Sequence, residues 1–205
     1  MVFDLDGTLY VSHEFALLIQ EGAVAYLAAL LGREMEEVRA VMVETRRRLA
    51  VESGARPTLS AVCSALGGTL PGLHAFFQER LRPESFLLRD QRVVDLLDRL
   101  RRHIPLYLYT NNSRPLVARI LALLGLEGRF SGVFTIDDRW RPKPDQGRLE
   151  EILAIIGEPA RGVLFVGDRF DVDLRLPEEN GCPVLLIRTI QELLELERLM
   201  DESHG

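Results

Sequence analysis

Phe3-Asp4-Leu5-Asp6-Gly7-Thr8 decides the reading of this chain. Two carboxylates stand two residues apart, after a short apolar start and before a Gly-Thr pair. In an extended strand, residues i and i+2 point the same way, so both acids leave the strand end toward one site. Gly7 permits a sharp turn, and the Thr8 hydroxyl is expected to hydrogen-bond it. Two acids in one pocket repel each other and usually need a cation or a shared proton. A nucleophile, an acid/base partner and a place for a hard metal ion thus fit into a few residues. A lone Asp-x-Asp would read more simply as an acidic strand end above a loop. The Gly-Thr pair and three matches downstream turn the reading toward chemistry.

Lys143 is the second signal. The chain has 25 basic residues, and all but Lys143 are arginine. The single ammonium lies in Arg141-Pro142-Lys143-Pro144. Ammonium is a compact point charge, whereas guanidinium is a broad planar fork. A crowded place between a phosphoryl oxygen and a carboxylate fits the former. The alternative is a surface lysine left by chance in an arginine-biased chain.

With 205 residues and 47% hydrophobic content, the chain can bury a full core and a smaller second unit. No uninterrupted apolar run approaches the ~20 residues of a membrane span. Met1-Val2-Phe3 leads straight into acids, so neither a signal peptide nor a membrane partner is expected. The net charge of −6 disfavours a nucleic acid polymer as partner. Cys63 and Cys182 have no metal-like spacing and read as reduced, buried thiols, which points to a cytoplasmic protein. Arg46-Arg47-Arg48 reads as a solvated helix face.

Five apolar runs read as buried parallel strands: Val2 to Leu5, Pro105 to Tyr109, Gly132 to Ile136, Val163 to Val166 and Pro183 to Ile187. Helical periodicity separates most of them, with Asp90 capping a helix to about Arg102, then Arg114 to Leu124 and Arg148 to Ile156. Alternation of this kind predicts an α/β fold: a Rossmann-like parallel sheet core whose ligands sit at the carboxyl ends of its strands. Asp4, Asp6, Thr110, Asn111 and Asp168 all fall at such ends. Residues 11–89 show no strand. Helices are expected at Ser12 to Leu31, Glu34 to about Glu52, Leu59 to Leu66 and Gly72 to Leu81, punctuated by Gly32, Gly54, Pro57, Gly67-Gly68 and Pro71. The expected division is therefore residues 1–10 with 90–205 as the α/β core, and 11–89 as an inserted all-α cap. Its tethers near Tyr10-His13 and Pro83-Arg89 are candidate hinges.

Tyr109-Thr110-Asn111-Asn112 offers a hydroxyl, an amide and backbone N–H groups suited to phosphate oxygens. In Gly167-Asp168-Arg169-Phe170-Asp171-Val172-Asp173, acids stand at both ends of an expected loop. Asp168 suits direct metal ligation, Asp173 suits metal-bound water or Lys143, and Asp171 reads as a loop acid. All-oxygen ligation fits Mg²⁺.

These four motifs, in this order and spacing, resemble the haloacid dehalogenase superfamily of phosphohydrolases over essentially the whole chain. The helical insertion looks like the family's C1-type cap. The run through Leu9-Tyr10 is similar to the branch containing pyrimidine 5′-nucleotidases. Only three residues precede Asp4, and Asp145-Gln146 replaces the Pro-rich continuation often seen after the lysine. The resemblance implies a Mg²⁺-dependent phosphomonoesterase acting on a small phosphorylated metabolite. Asp4 would be the nucleophile forming an aspartyl-phosphate, and Asp6 the general acid and then base. Thr110, Asn111 and Lys143 would bind phosphate. Asp4, Asp168 and the Asp6 backbone carbonyl would hold the metal, with Asp173 behind them. A phosphosugar mutase and a non-catalytic phosphate-ligand binding protein are the competing readings. Tyr10, His13, Phe15, Arg46 to Arg48 and Arg56 are candidates for substrate choice, between a nucleoside monophosphate, a sugar phosphate and phosphoglycolate. Oligomeric state is not legible.

Overall fold

The computed structural model describes residues 1–198. Five short strands form one parallel sheet: β1 (Val2–Phe3), β2 (Tyr107–Tyr109), β3 (Gly132–Phe134), β4 (Phe165–Gly167) and β5 (Val184–Leu186), in the order β3-β2-β1-β4-β5. Each lies in or overlaps one of the five apolar runs. Val2 pairs with Tyr107 on one side and Phe165 on the other, so β1 is central. Connections run outward from β1 in one direction and from β4 in the other. The carboxyl ends of these two neighbours therefore flank the switch point where α/β sheets bind ligands. β1 is shorter than expected, because the chain turns directly after Asp4, whose N–H still bonds Val166 O at 2.8 Å.

The chain divides into two compact units. One comprises Met1–Ser12 with the residues from Leu87 onward; the other is His13–Phe86. The second unit holds four helices: α1 (His13–Leu31), α2 (Met35–Ser53), α3 (Leu59–Ala65) and α4 (Leu70–Arg80). α1 packs on the other three and buries Phe15, Ala23, Val24, Leu27 and Ala28. Gly22 lets α4 come close, since a Cβ there would stand 3.1 Å from the Phe77 ring. α1 is long and apolar enough on length and composition to cross a membrane. It nevertheless carries Glu21, which forms a two-armed ion pair with Arg39 of α2. α4 begins two residues earlier than expected because Thr69 caps it, accepting from Gly72 N at 3.2 Å.

In the sheet unit, α5 (Gln91–Leu100) is capped by Asp90 and buries Val93, Val94, Leu96, Leu97 and Leu100, as its periodicity predicts. α6 (Arg114–Leu124) and α7 (Gln146–Ile156) follow. α7 starts two residues before the expected Arg148, because Asp145 Oδ1 caps the Arg148 N–H at 2.7 Å. The segment expected as a loop after β4 is instead a π-helical turn, Phe170–Leu174, running into α8 (Arg175–Glu179). Asp171 is exposed on this turn, whereas Val172, Asp173 and Leu174 are buried. α9 (Ile190–Leu194) closes the described elements. Val2, Tyr109, Phe134, Leu149, Ile152, Phe165 and Leu174 share one core cluster between the strands and α7.

Candidate active site

After β1 the chain winds tightly. Gly7 N donates to Tyr10 O at 2.9 Å, and Leu9 N to Leu5 O at 3.0 Å. Gly7 has φ +80°, and a Cβ on it would lie 2.4 Å from Asp168 Oδ2, so glycine is required on both counts. The turn is closed by backbone groups, including Thr8 N to Leu5 O at 3.4 Å. The Thr8 hydroxyl is not used as expected: it is buried and finds no hydrogen-bond partner among the described residues. Leu5, between the two acids, is fully buried.

Lys143 stands at the centre. It is 3% exposed, and its Nζ donates to Asp4 Oδ1 at 2.5 Å, Asp173 Oδ1 at 2.5 Å and Tyr109 O at 3.0 Å. Its three protons thus have three oxygen acceptors. Burial would weaken the ammonium, but Asp173 and Asp4 outweigh it and hold its pKa well above the ordinary value. Asp4 is pushed well up by burial, against the pull of Lys143. Asp168 is raised to about 6 by burial, with the Asp173 charge adding to it. Asp173 is fixed at both oxygens, since Oδ2 accepts from Arg169 N at 3.1 Å. A Cβ on Gly167 would lie 2.6 Å from the Asp173 Cβ, so this close approach also demands glycine.

Asn111, expected on phosphate, is engaged by the lysine loop. Its Oδ1 accepts from Lys143 N at 2.7 Å, and its Nδ2 lies 3.5 Å from Lys143 O. Thr110 is buried, with its Oγ1 accepting from Asn112 N at 3.1 Å, which leaves the hydroxyl proton for a ligand. Asp6 lies apart from the lysine pair. Tyr10 donates its hydroxyl to Asp6 Oδ1, and Asn112 Nδ2 donates to Asp6 Oδ2 at 2.6 Å. Burial raises the Asp6 carboxyl, while Tyr10, Lys143 and Asn112 oppose it. The sequence reading quoted Asn112 within its stretch but gave it no role of its own, and placed Tyr10 only among residues for substrate choice. The Gly7 turn was the available signal for Tyr10, because it folds residue 10 back beside residue 6.

Carboxylate oxygens of Asp4, Asp168 and Asp173 lie within 4.8 Å of one another. This all-oxygen donor set fits a hard divalent cation. Gly7 supports the fit, for its missing side chain leaves the room that Asp168 occupies. The Asp6 side chain is not in this group; its carboxylate faces Tyr10 and Asn112.

Gly167→Ala is expected to push Asp173 off Lys143. A shift of about 1 Å at the lysine should lower turnover by about 10²-fold, and the overpacking should cost about 1–3 kcal/mol. Steady-state kinetics and urea denaturation measure the two effects.

The parallel sheet, with paired acids after its central strand and a buried lysine–carboxylate cluster at its switch point, defines a Rossmann-like α/β protein with its polar site where such sheets bind ligands. A family model described as haloacid dehalogenase-like hydrolase matches residues 1–178, and the chain belongs to this family. It is 30% identical to the phosphoglycolate phosphatase of Pectobacterium atrosepticum over 189 residues, 89% of this chain and 76% of that protein. Among solved structures, a HAD phosphatase from Thermococcus onnurineus aligns with TM-score 0.63 and 19% identity over 97% of this chain and 96% of its own. A 2-haloacid dehalogenase from Pseudomonas syringae pv. tomato aligns with TM-score 0.61 and 18% identity over 98% and 97%. At these identities the two structures speak for the fold, a Rossmann-like core with a helical insertion, and the site must speak for the chemistry.

Proposed function

We propose that the protein is a Mg²⁺-dependent phosphomonoesterase that releases phosphate from a small phosphorylated metabolite through an aspartyl-phosphate on Asp4. The observation that carries this reading is the separation of the two acids. Asp4 is held by an ammonium, whereas Asp6 is held by two neutral donors. One acid is thus arranged as nucleophile and the other as proton carrier.

Asp4 attacks phosphorus, the bond to the leaving oxygen breaks, and the Asp6 carboxyl gives that oxygen its proton. Asp6, now a carboxylate, takes a proton from the water that cleaves the acyl phosphate, which returns Asp4 and frees phosphate. Thr110 donates to a phosphoryl oxygen, Lys143 sets its positive charge beside the transferred group, and Asn111 serves this cradle through its hold on the Lys143 peptide. Asp173 keeps the ammonium in place. Asp4, Asp168 and the Asp6 backbone carbonyl would hold Mg²⁺, which would supply charge neutralisation between an anionic nucleophile and an anionic ester. An acid at position 6 favours phosphoryl transfer over dehalogenation, which has no leaving oxygen to protonate.

The helical unit, residues 11–89 in this reading, is the cap that selects substrate. The Pectobacterium relative supports 2-phosphoglycolate as the first ester to try. Two free, buried cysteines support work in a reducing cytoplasm.

Free phosphate should be released from at least one member of a panel containing 2-phosphoglycolate, hexose phosphates and nucleoside monophosphates. Isomer exchange without phosphate release would make the protein a mutase, and silence across the panel would remove the enzyme reading. Chelation is expected to abolish the release, and added Mg²⁺ to restore it. Full activity in thoroughly chelated buffer would exclude the metal.

A further inference from the structure

Asp6 makes no ion pair with Lys143. Its carboxylate is gripped at both oxygens by two neutral donors from different parts of the chain. The Tyr10 hydroxyl reaches Oδ1 and the Asn112 amide reaches Oδ2 at 2.6 Å. Both donors are themselves fixed. Tyr10 is 8% exposed, and its backbone O accepts from Gly7 N at 2.9 Å. Asn112 is 7% exposed; its N–H is held by Thr110 Oγ1 at 3.1 Å, and its carbonyl accepts from Ile136 N at 3.1 Å. A carboxylate bound by one donor can pivot about it, whereas donors on both oxygens fix the plane of the group. Each Asp6 oxygen keeps a second lone pair beyond the one occupied by its donor. The clamp therefore orients the acid without blocking it.

We propose that Tyr10 and Asn112 are positioning residues that aim the Asp6 carboxyl at the leaving-group oxygen, and that their loss is felt in proportion to how much that oxygen needs a proton. The inference rests on the phosphomonoesterase reading above. In the step concerned, the P–O bond breaks, its electron pair stays on the leaving oxygen, and the Asp6 proton goes to that oxygen. An ester whose leaving group is a stable anion gains little from this proton, and one with a basic leaving group gains much.

The test compares p-nitrophenyl phosphate with phenyl phosphate, two esters of nearly the same shape whose leaving groups differ in basicity. The readout is kcat/KM, which covers steps up to departure of the phenol and excludes hydrolysis of the aspartyl-phosphate. Tyr10→Phe keeps the ring and removes only the hydroxyl, and Asn112→Ala keeps both backbone bonds. Each is expected to widen the ratio of the two kcat/KM values about tenfold, through loss on phenyl phosphate, with Asp6→Asn widening it further. Equal loss on both esters, or no loss on either, in variants that melt like the wild type overturns the positioning role. If Asp6→Asn itself leaves the ratio unchanged, Asp6 is not the proton donor. If the wild type releases phosphate from neither aryl ester nor any member of the metabolite panel, the hydrolase reading falls first.

Discussion

Asp4→Asn is expected to lower kcat by about 10³-fold or more, the scale seen when an essential catalytic group is removed. The amide oxygen can still accept the Lys143 proton that Asp4 Oδ1 accepts at 2.5 Å, so the local geometry should survive. What disappears is the anionic oxygen that attacks phosphorus. Stability should move the other way. Three carboxylates, Asp4, Asp168 and Asp173, crowd within 4.8 Å around a single ammonium. Removing one of these negative charges relieves repulsion in a buried place. In metal-free protein the melting temperature of Asp4→Asn is therefore not expected to fall. An active enzyme less stable than its dead variant is the usual mark of a site arranged for chemistry at the expense of the fold. Near-normal turnover by Asp4→Asn would assign the nucleophile elsewhere.

Lys143→Arg is expected to be almost as damaging, although it keeps the charge. The ammonium fills a slot bounded by Asp4, Asp173 and the Tyr109 carbonyl, and it is 3% exposed. Its Nζ also stands 5.1 Å from the centre of the Tyr109 ring. A guanidinium is wider and flat, and cannot send three bonds to three oxygens disposed around one nitrogen. Overpacking should cost about 1–3 kcal/mol, and displacing Asp4 should lower kcat/KM by about 10²-fold. Lys143→Met separates shape from charge. It fits the slot but leaves Asp4 and Asp173 without their counter-ion, which should destabilise the protein by about 3–5 kcal/mol. Urea denaturation in chelated buffer distinguishes the two variants, because added divalent cation should recover part of the loss in Lys143→Met. Wild-type kcat/KM in Lys143→Arg would make the sole lysine incidental.

The chain by itself determined the parallel sheet, because each strand is a short apolar run and the helices α5, α6 and α7 between the strands each carry their own periodicity and a cap. Asp90 and Gly125 bound helices where a reader of the sequence would place the ends. It also determined which residue types stand at the carboxyl ends of β1, β2 and β4, since a strand end next to a turn can be read from local chemistry alone. Segments without such local signals were not legible. The turn Phe170–Leu174 looks like a loop until Asp173 is seen binding both Lys143 Nζ and Arg169 N.

Only the tertiary structure decided how the polar residues divide their partners. Asn111 and Asn112 are neighbours of the same type, yet one bonds the peptide of Lys143 and the other the side chain of Asp6, 106 positions earlier. Tyr10 is one turn from Asp6 in sequence, but its bond depends on the left-handed Gly7, and Gly7 is required by the approach of Asp168 from β4. Hydrogen bonds are directional and reach about 3 Å. Which of two adjacent amides meets a given carboxylate depends on ångström-scale placement of strands remote in sequence, and the order of residue types along the chain holds no record of that placement.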